Sequence, residues 1–335
     1  MRVIYFFLLL SFNFAFSQSI KGRVVDVNNE PLSGATVYID GSTLGTTTNK
    51  LGYFELDYSN PTASDLIISY VGFTTYYLKS PQVNTNYKFV LQEEIASLNE
   101  IVLTKNPFSR KQMLSVFIAN FLGTTKAGKK CTILNLDEVY FNYDRSNNTL
   151  YAYSDKPIEV LNPFLGYKIF YSLIRFEIKF TRFTLDFYAI KQMMYGGTSR
   201  FEETDNSPKI IKRRNKVFEG SVTQFFRNIA INTWGKDHFR LFEGNFMIDP
   251  SLHFKVKDSL SFKYVTVKNQ SKIENTFFSK FSLLDSNKNQ SGVQFRTPSF
   301  FIDKYGVFTH YEYIFFTGLM SQKKVGDMLP NNFGM

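Results

Sequence analysis

Residues 21–58 read KGRVVDVNNEPLSGATVYIDGSTLGTTTNKLGYFELDY, and residues 66–73 read LIISYVGF. Short alternations of apolar and polar residues in this stretch are separated by Asn, Gly and Pro, which favour turns. The pattern predicts strands at 20–27, 35–40, 53–56, 66–70, 76–78 and 87–91, with 46–49 leading into a turn at 51–52. About seven short strands with turns between them indicate a small β-sandwich.

The order of these pieces resembles the carboxypeptidase regulatory-like domain, a transthyretin-like sandwich. The resemblance covers residues 20–92. It rests on GRVVD at 22–26, PLSGATV at 31–37, GTTTNKLGYF at 45–54 and ISYVGF at 68–73. The resemblance implies a folding or interaction module without catalytic residues of its own.

The following segment, LNEIVLT at 98–104, resembles the one that follows this domain in exported and outer-membrane proteins of the Bacteroidetes type. In TonB-dependent receptors of that type, a plug and a barrel of about 22 strands come next. About 230 residues remain in this chain. That length is too short for such a receptor.

The N-terminus is predicted to be a cleaved signal peptide. Met1 and Arg2 form a short basic region, residues 4–16 are apolar, and Ala15 and Ser17 provide small residues for cleavage before residue 18. The apolar run is shorter than the roughly 20 residues that span a bilayer. We therefore expect export to the periplasm or the cell surface, with an outer-membrane association as a further possibility.

Charge divides the chain near residue 96. Residues 18–96 carry five Lys/Arg and eight Asp/Glu, a net charge of −3, whereas residues 97–335 carry 33 and 21, a net charge of +12. We predict a signal peptide at 1–17, the regulatory-like sandwich at 18–96, a linker at 97–108 and a β-rich domain at 109–335. The high aromatic content, 17%, favours β structure.

The larger domain is expected to be mainly β with two short helices. Ser109 and Gln112 form a capping box before the apolar face of a helix over 109–122, and a second capping box at Ser221 begins a helix over 221–229. A hairpin is expected at 139–153. Further strands are expected at 174–180, where apolar residues alternate strictly, and at 184–194, 241–248, 262–267, 276–284, 293–296 and 307–316.

Three segments of this domain resemble an exported Bacteroidetes family that joins the regulatory-like domain to a β-rich domain of unknown function. The segments are NPFLGY at 162–167, IDKYG at 302–306 and VGDMLP at 325–330. Because that family has no agreed activity, the resemblance implies no catalytic residues.

The sequence lacks the residue patterns of the common hydrolases. The third residue after each of His238, His253 and His310 is not Glu, so a zinc carboxypeptidase pattern is missing. There is no Gly-x-Ser-x-Gly elbow and no phosphate-binding loop. Cys131 is the single cysteine, and it is interpreted either as a small buried hydrophobe or as a reactive thiol beside Lys129 and Lys130. No cofactor or metal ion is predicted.

One basic cluster is the candidate binding site. It consists of Lys209, Lys212, Arg213, Arg214 and Lys216. One interpretation is a solvated loop or exposed strand face. The other is a contact with an anionic surface, such as lipopolysaccharide phosphates or an acidic partner. Nucleic acid is disfavoured, because the chain is expected to be exported and has no recognisable reading motif.

These observations predict a non-catalytic interaction or structural protein of the periplasm or cell surface, with a protein or glycan partner in the cell envelope. One alternative is a hydrolase acting on peptide or glycan, with a site assembled from separated strands of the second domain. The other is a small outer-membrane barrel, which would need strands of about 9–11 residues.

Overall fold

The structure, a computed structural model, describes residues 18–58, 64–94 and 106–335. The predicted signal peptide at 1–17 and the segment at 98–104 lie outside the described residues, as does most of the predicted linker. Within the described ranges, no helix has both the length and the apolar character needed to cross a membrane.

The N-terminal unit consists of seven short strands in two sheets. One sheet has the order β4-β1-β7, with β1 and β7 parallel, and the other has the order β3-β2-β5-β6. The predicted seven-stranded sandwich is therefore confirmed. The strands are β1 Ser19–Val25, β2 Thr36–Ile39, β3 Gly45–Thr47, β4 Tyr53–Asp57, β5 Leu66–Ser69, β6 Tyr76–Leu78 and β7 Asn86–Val90.

Side chains from both sheets of this unit meet in one core. Phe54 and Leu56 face inward two residues apart on β4, as the sequence pattern predicts. The turn before β4 needs a glycine: Gly52 has φ +79°, and an added Cβ would lie 2.5 Å from the carbonyl oxygen of Val24. The inward side chains include Ile20, Val24 and Phe89 from one sheet and Val37, Ile39, Leu66 and Ile68 from the other.

Four α-helices lie in the described part of the remaining chain: α1 Arg110–Phe121, α2 Pro208–Phe218, α3 Val222–Ile231 and α4 Leu319–Gln322. The two predicted helices correspond to α1 and α3, and both begin where the caps predict. Ser109 and Gln112 form the predicted capping box, and Ser221 accepts from the backbone N–H of Gln224. Helix α2 and the single turn α4 were not predicted.

Fourteen strands follow the N-terminal unit in the described residues. They are β8 Thr132–Ile133, β9 Val139–Asp144, β10 Thr149–Ser154, β11 Ile158–Asn162, β12 Tyr167–Phe180, β13 Ile190–Glu203, β14 Arg240–Glu243, β15 Phe246–Met247, β16 Phe254–Ser259, β17 Phe262–Val267, β18 Ser279–Leu284, β19 Gln290–Phe295, β20 Ser299–Asp303 and β21 Ile314–Gly318. The mainly β character predicted for this region is confirmed.

The strands after residue 131 surround two separate cores. In the first, α1 packs on a six-stranded sheet of order β8-β11-β12-β10-β9, with β13 along the other side of β12. Phe117 of α1 lies 4.8 Å from Phe176 of β12, measured between ring centroids. In the second, α3 packs with a five-stranded sheet, β15-β14-β18-β19-β21, and a three-stranded sheet, β16-β17-β20. The region predicted as one β-rich domain thus contains two hydrophobic cores.

Several strand predictions are confirmed and others shift. The hairpin at 139–153 forms, with Asn148 at φ +55° in its turn, and β17 has the predicted bounds. The prediction for 184–194 is correct only from Ile190 onward, because residues 187–189 form a 3₁₀ turn capped by Asp186. Residues 241–248 contain a hairpin of β14 and β15 rather than one strand.

The alternation predicted over 174–180 fails at one position. Phe176, Ile178 and Phe180 are buried, but Ile174 is 68% exposed. The register between β12 and β13 shifts between Leu173 and Arg175, so Ile174 lies in a bulge. An extra residue in one strand turns the side chain away from the face that the two-residue period assigns to it.

Candidate functional site

The predicted basic cluster lies on helix α2. Pro208 occupies the first helical turn, where its missing N–H removes no helical hydrogen bond. Ile210 and Arg214, one turn apart, face inward and are buried. Neither the loop nor the exposed strand face considered from the sequence is correct, because this segment is a helix with one buried side.

Arg214 does not belong to an exposed cationic surface. The residue is only 3% exposed, so the expectation that the whole cluster faces solvent is wrong at this position. The guanidinium instead holds the loop before β12 against the residues that precede α2. It donates to the carbonyl oxygens of Leu165 at 2.7 Å, Asp205 at 2.6 Å and Gly166 at 3.1 Å, pairs with Glu203, and lies 3.9 Å from the centroid of the Tyr167 ring.

The neighbouring Arg213 is half-buried and connects the cluster to a distant part of the chain. Its guanidinium carbon lies 4.6 Å from the centroid of the Phe164 ring, and Nη1 donates to the carbonyl oxygen of Phe164 at 3.4 Å. The Nζ of Lys126, in the loop after α1, lies 5.7 Å from the same ring. The positive surface is therefore larger than the cluster seen in the sequence.

Lys209, Lys212 and Lys216 lie exposed along the outer side of α2. Their spacing of three and four residues aligns them in one stripe. Among the described residues, none of the three forms an ion pair with a carboxylate. Asp205, before the helix, has a lowered pKa because the Ser207 backbone and side chain donate to it, with a smaller contribution from the two arginines. The stripe thus presents unpaired positive charge to solvent.

The three segments that resemble an exported family are structural. Arg214 donates to carbonyl oxygens in the first segment, residues 162–167. Nε of Arg227 donates to the carbonyl oxygen of Tyr305 in the second segment, residues 302–306, at 2.9 Å. Nδ2 of Asn162, in the first segment, donates to the carbonyl oxygen of Gly326 in the third at 2.9 Å. These contacts position the segments at the junctions between the packing units.

The C-terminal residues fasten α2 and α3. Nζ of Lys323 donates to the carbonyl oxygens of Val217 and Glu219, both at 2.6 Å, at the end of α2. Burial lowers the pKa of Lys323 to about 8. Arg227 of α3 donates to the carbonyl oxygens of Asn331 at 2.7 Å and Phe333 at 2.9 Å. Helix α2, which carries the exposed lysines, is therefore held in place by these hydrogen bonds.

The N-terminal sandwich docks onto β13 through the loop after β2. The Gly41 N–H donates to the carbonyl oxygen of Ser199 at 2.7 Å, and the Ser199 N–H donates to Oδ1 of Asp40 at 2.7 Å. Asn331 adds a bond from its N–H to the carbonyl oxygen of Gly41, at 2.6 Å. Burial, with help from the charge of Asp65, raises the pKa of Asp40 to about 6.

Cys131 is partly buried and poorly suited to nucleophilic chemistry. Its thiol donates to the carbonyl oxygen of Ala127 at 3.4 Å. Burial, together with the nearby charge of Asp327, raises the pKa of the thiol to about 12. Since the thiolate is the reactive form, this environment favours the interpretation of Cys131 as a packed side chain.

The remaining titratable candidates are dispersed. The three histidines lie on separate segments, and in the described ranges no group of three His, Cys, Asp or Glu side chains could hold a metal ion. Glu202 and Glu203 are neighbours on β13, so their side chains point to opposite faces. Arg200 pairs with Glu202 at 2.6 Å, and Arg214 pairs with Glu203.

Two open depressions occur elsewhere on the described surface. The larger, of about 530 Å³, lies on the N-terminal sandwich beside the Lys21–Glu55 ion pair and the ring of Tyr53. The smaller, of about 320 Å³, lies beside Tyr151 and Tyr153 on the six-stranded sheet. Neither of these two depressions includes a residue of α2.

Comparison with known proteins identifies the N-terminal unit. Residues 20–103 match the family model described as the CarboxypepD_reg-like domain, which confirms the resemblance found in the sequence. No curated protein matches the chain.

Two solved structures show weak likeness. One is a C-terminal interface mutant of a type II cohesin–X-dockerin complex from Acetivibrio cellulolyticus, with 20% identity, 22% of this chain and 51% of that chain covered, and a TM-score of 0.18. The other is a 9R-lipoxygenase from Cyanothece PCC8801, with 9% identity, 66% and 49% covered, and a TM-score of 0.16. The matches span about half the length of these two chains, and both TM-scores are too low to indicate a shared fold.

Proposed function

We propose that this protein is a non-catalytic interaction protein of the periplasm or cell surface, and that the exposed side of α2 docks an anionic partner. The observation that carries the proposal is the stripe of Lys209, Lys212 and Lys216, which has no carboxylate partner among the described residues. Arg213 and Lys126, both beside Phe164, extend the stripe.

The stripe is suited to recognition rather than to stability. Exposed lysines contribute little to folding free energy, but several together attract a multiply charged surface. Such attraction is screened within about 8–10 Å at physiological salt. A phosphate-bearing glycolipid such as lipopolysaccharide presents closely spaced negative charges, and it is the partner chemistry that we favour.

Two further observations support the cellular setting. The first 17 residues have the charge and apolar pattern of a signal peptide. The sandwich that follows matches a family model whose domain we take to be a folding and interaction module. The hydrolase alternative would be favoured by a purified protein that cleaves peptides or glycans with ordinary turnover.

The experiment measures binding of the purified protein to lipopolysaccharide as the salt concentration rises. The variant K209S/K212S/K216S removes the stripe and leaves the buried Arg214 in place. The matched control, K255S/K257S/K280S, removes the same charge from exposed positions on β16 and β18. Arg213→Ser and Arg214→Ser are unsuitable here, because both side chains bind the loop before β12.

We expect the parent and the control to bind with a steep decrease as salt rises, and the stripe variant to bind at least about tenfold more weakly. A tenfold loss corresponds to about 1.4 kcal/mol. If the stripe variant and the control bind equally, α2 is only a solvated face and the docking proposal is wrong.

A further inference from the structure

The turn between β12 and β13, residues 181–189, presents large aromatic side chains to solvent. Tyr188 is 92% exposed and Phe187 is 65% exposed, and their rings lie edge to face with centroids 5.9 Å apart. Phe183, in the same turn, is also exposed on one side. Exposed apolar clusters of this kind on a protein surface mark sites of interaction.

This aromatic tip is held in a defined conformation. Oδ1 of Asp186 accepts from the Tyr188 N–H at 3.0 Å, and the Asp186 N–H donates to Oγ1 of Thr184 at 3.1 Å. Phe183 stacks on Phe108, with ring centroids 5.0 Å apart. The outward position of Phe187 and Tyr188 is therefore set by the turn itself, so that the two rings are available for a partner.

Positive charges surround the tip. Lys179 and Lys191 are exposed at the adjoining ends of β12 and β13. Arg145, from the β9–β10 turn, lies 4.7 Å from the Phe183 ring centroid. The acidic residue of the tip, Asp186, is paired with Arg182 at 3.6 Å. The tip, the adjoining strand ends and the β9–β10 turn thus carry four cations against the carboxylates of Asp186 and Asp144, a net positive charge.

The tip lies far from the basic helix. Strands β12 and β13 are each 14 residues long, and α2 follows the end of β13 that is opposite the tip. At a rise of about 3.3 Å per residue, the strands separate the two ends by roughly 45 Å. The tip and α2 are therefore too far apart to belong to one compact binding site.

We propose that the aromatic tip inserts Phe187 and Tyr188 into the interfacial layer of an anionic phospholipid bilayer, with Lys179 and Lys191 beside the lipid phosphates. Tyrosine has an apolar ring and a polar hydroxyl, which suits it to the boundary between water and lipid. Basic residues nearby add attraction to anionic head groups.

The size of the tip favours a membrane over a protein partner. Aromatic side chains bury about 150–250 Å² each, so Phe187 and Tyr188 together supply at most about 500 Å². A stable protein interface buries about 800 Å² on each partner, with a packed surface of some 20–30 residues. A small aromatic projection with basic flanks needs no such complementary surface when it enters the head-group layer.

The test is flotation of the purified protein with vesicles of phosphatidylcholine and phosphatidylglycerol, compared with vesicles of phosphatidylcholine alone. We expect the parent to float with the anionic vesicles and F187S/Y188S to bind at least about tenfold more weakly, since two buried rings are lost. The matched control is F246S/M247S, because Phe246 and Met247 of β15 are large apolar side chains exposed on a different hairpin, 79% and 68% exposed. This control should bind like the parent.

Two more measurements separate electrostatic attraction to the lipid head groups from insertion of the aromatic rings. K179S/K191S should bind anionic vesicles more weakly and with a shallower salt dependence. A Tyr188→Trp variant should gain emission that is quenched by brominated lipid, which a protein partner would not produce. The stripe variant of α2, K209S/K212S/K216S, should keep this quenching in the Y188W background.

Three outcomes would overturn the proposal: no flotation of the parent, equal binding by F187S/Y188S and the parent, or no quenching in Y188W. If only the α2 stripe variant loses vesicle binding, the tip proposal fails while the proposed function of α2 stands. If the stripe variant binds lipopolysaccharide like the parent but the tip variant loses vesicle binding, the proposed function of α2 fails while the tip proposal stands.

Discussion

At the scale of single residues, Arg214 shows how a charge cluster divides on folding. Five cations within eight positions look alike in the sequence, yet three lie exposed and Arg214 is buried among carbonyl oxygens. The sequence holds one signal that could have located it. Pro208 followed by apolar residues at 210 and 217 predicts a helix whose inward face contains position 214. The carbonyls that bind Arg214 come from a loop near residue 165, and no local pattern reveals that partner.

We expect Arg214→Ala to lower the free energy of unfolding by about 2–4 kcal/mol, because several buried hydrogen bonds and a packed guanidinium are lost. Urea denaturation measures the change. Arg213→Ala, one position earlier and half-buried, should cost no more than about 1 kcal/mol. Equal costs for the two variants would show that the burial of Arg214 has no energetic consequence.

At the scale of elements, short-range signals predicted those structures whose determinants are local. Helix α1 begins at its capping box, and its C-terminal glycine, Gly123, has φ +86°. The seven N-terminal strands were predicted because each is bounded by turn residues. By contrast, the bulge at Ile174 depends on pairing with β13, and the 3₁₀ turn after Asp186 replaces the start of a predicted strand. Strand register and irregularities are determined by partners that are distant in the sequence.

The cap of α1 provides a local test. Oγ of Ser109 accepts from the Gln112 N–H at 3.3 Å, and the Ser109 N–H donates to Oε1 of Gln112 at 2.9 Å. Ser109→Ala should reduce the free energy of unfolding by about 1 kcal/mol, and Ser109→Asp should recover most of it. Thermal unfolding monitored by circular dichroism measures both. A stability loss in Ser109→Asp as large as that in Ser109→Ala would argue against the cap as the cause.

At the scale of the whole molecule, contacts between distant segments hold the packing units together. The loop after β2 adds to the edge of β13, and residues from Lys323 onward bind α2, α3 and the N-terminal loop. The two cores within the region after residue 108 could not be predicted, because their division depends on which strands pair. The candidate site is also assembled at this scale, because Lys126 and Arg213 come together through their shared contact with the ring of Phe164.

Asp40 connects these units through a titratable group. Its carboxylate accepts a hydrogen bond from the Ser199 N–H of β13. Burial raises the pKa of Tyr38, Tyr77 and Tyr171, which lie on both sides of the junction, and the charge of Asp40 adds a smaller increase. The charge of the nearby Asp65 also raises the pKa of Asp40. A carboxyl group at this position binds a proton more tightly in the folded protein than in the unfolded chain.

The stability of the parent should therefore contain a contribution that decreases as pH rises from about 4 to about 6. The pKa of Asp40 is raised from 3.8 to about 6, so below this window the group is protonated in both states, and above it the folded state holds a buried carboxylate. The penalty for burying this carboxylate approaches about 2–3 kcal/mol near pH 7.

Asp40→Asn removes this penalty, and the difference in unfolding free energy between D40N and the parent should grow in favour of D40N across the window. Asp237→Asn, at an exposed position in the loop before β14, provides the control and should show no such growth. A constant difference between D40N and the parent from pH 4 to pH 7 would mean that Asp40 is solvated and that the junction with β13 opens readily in solution.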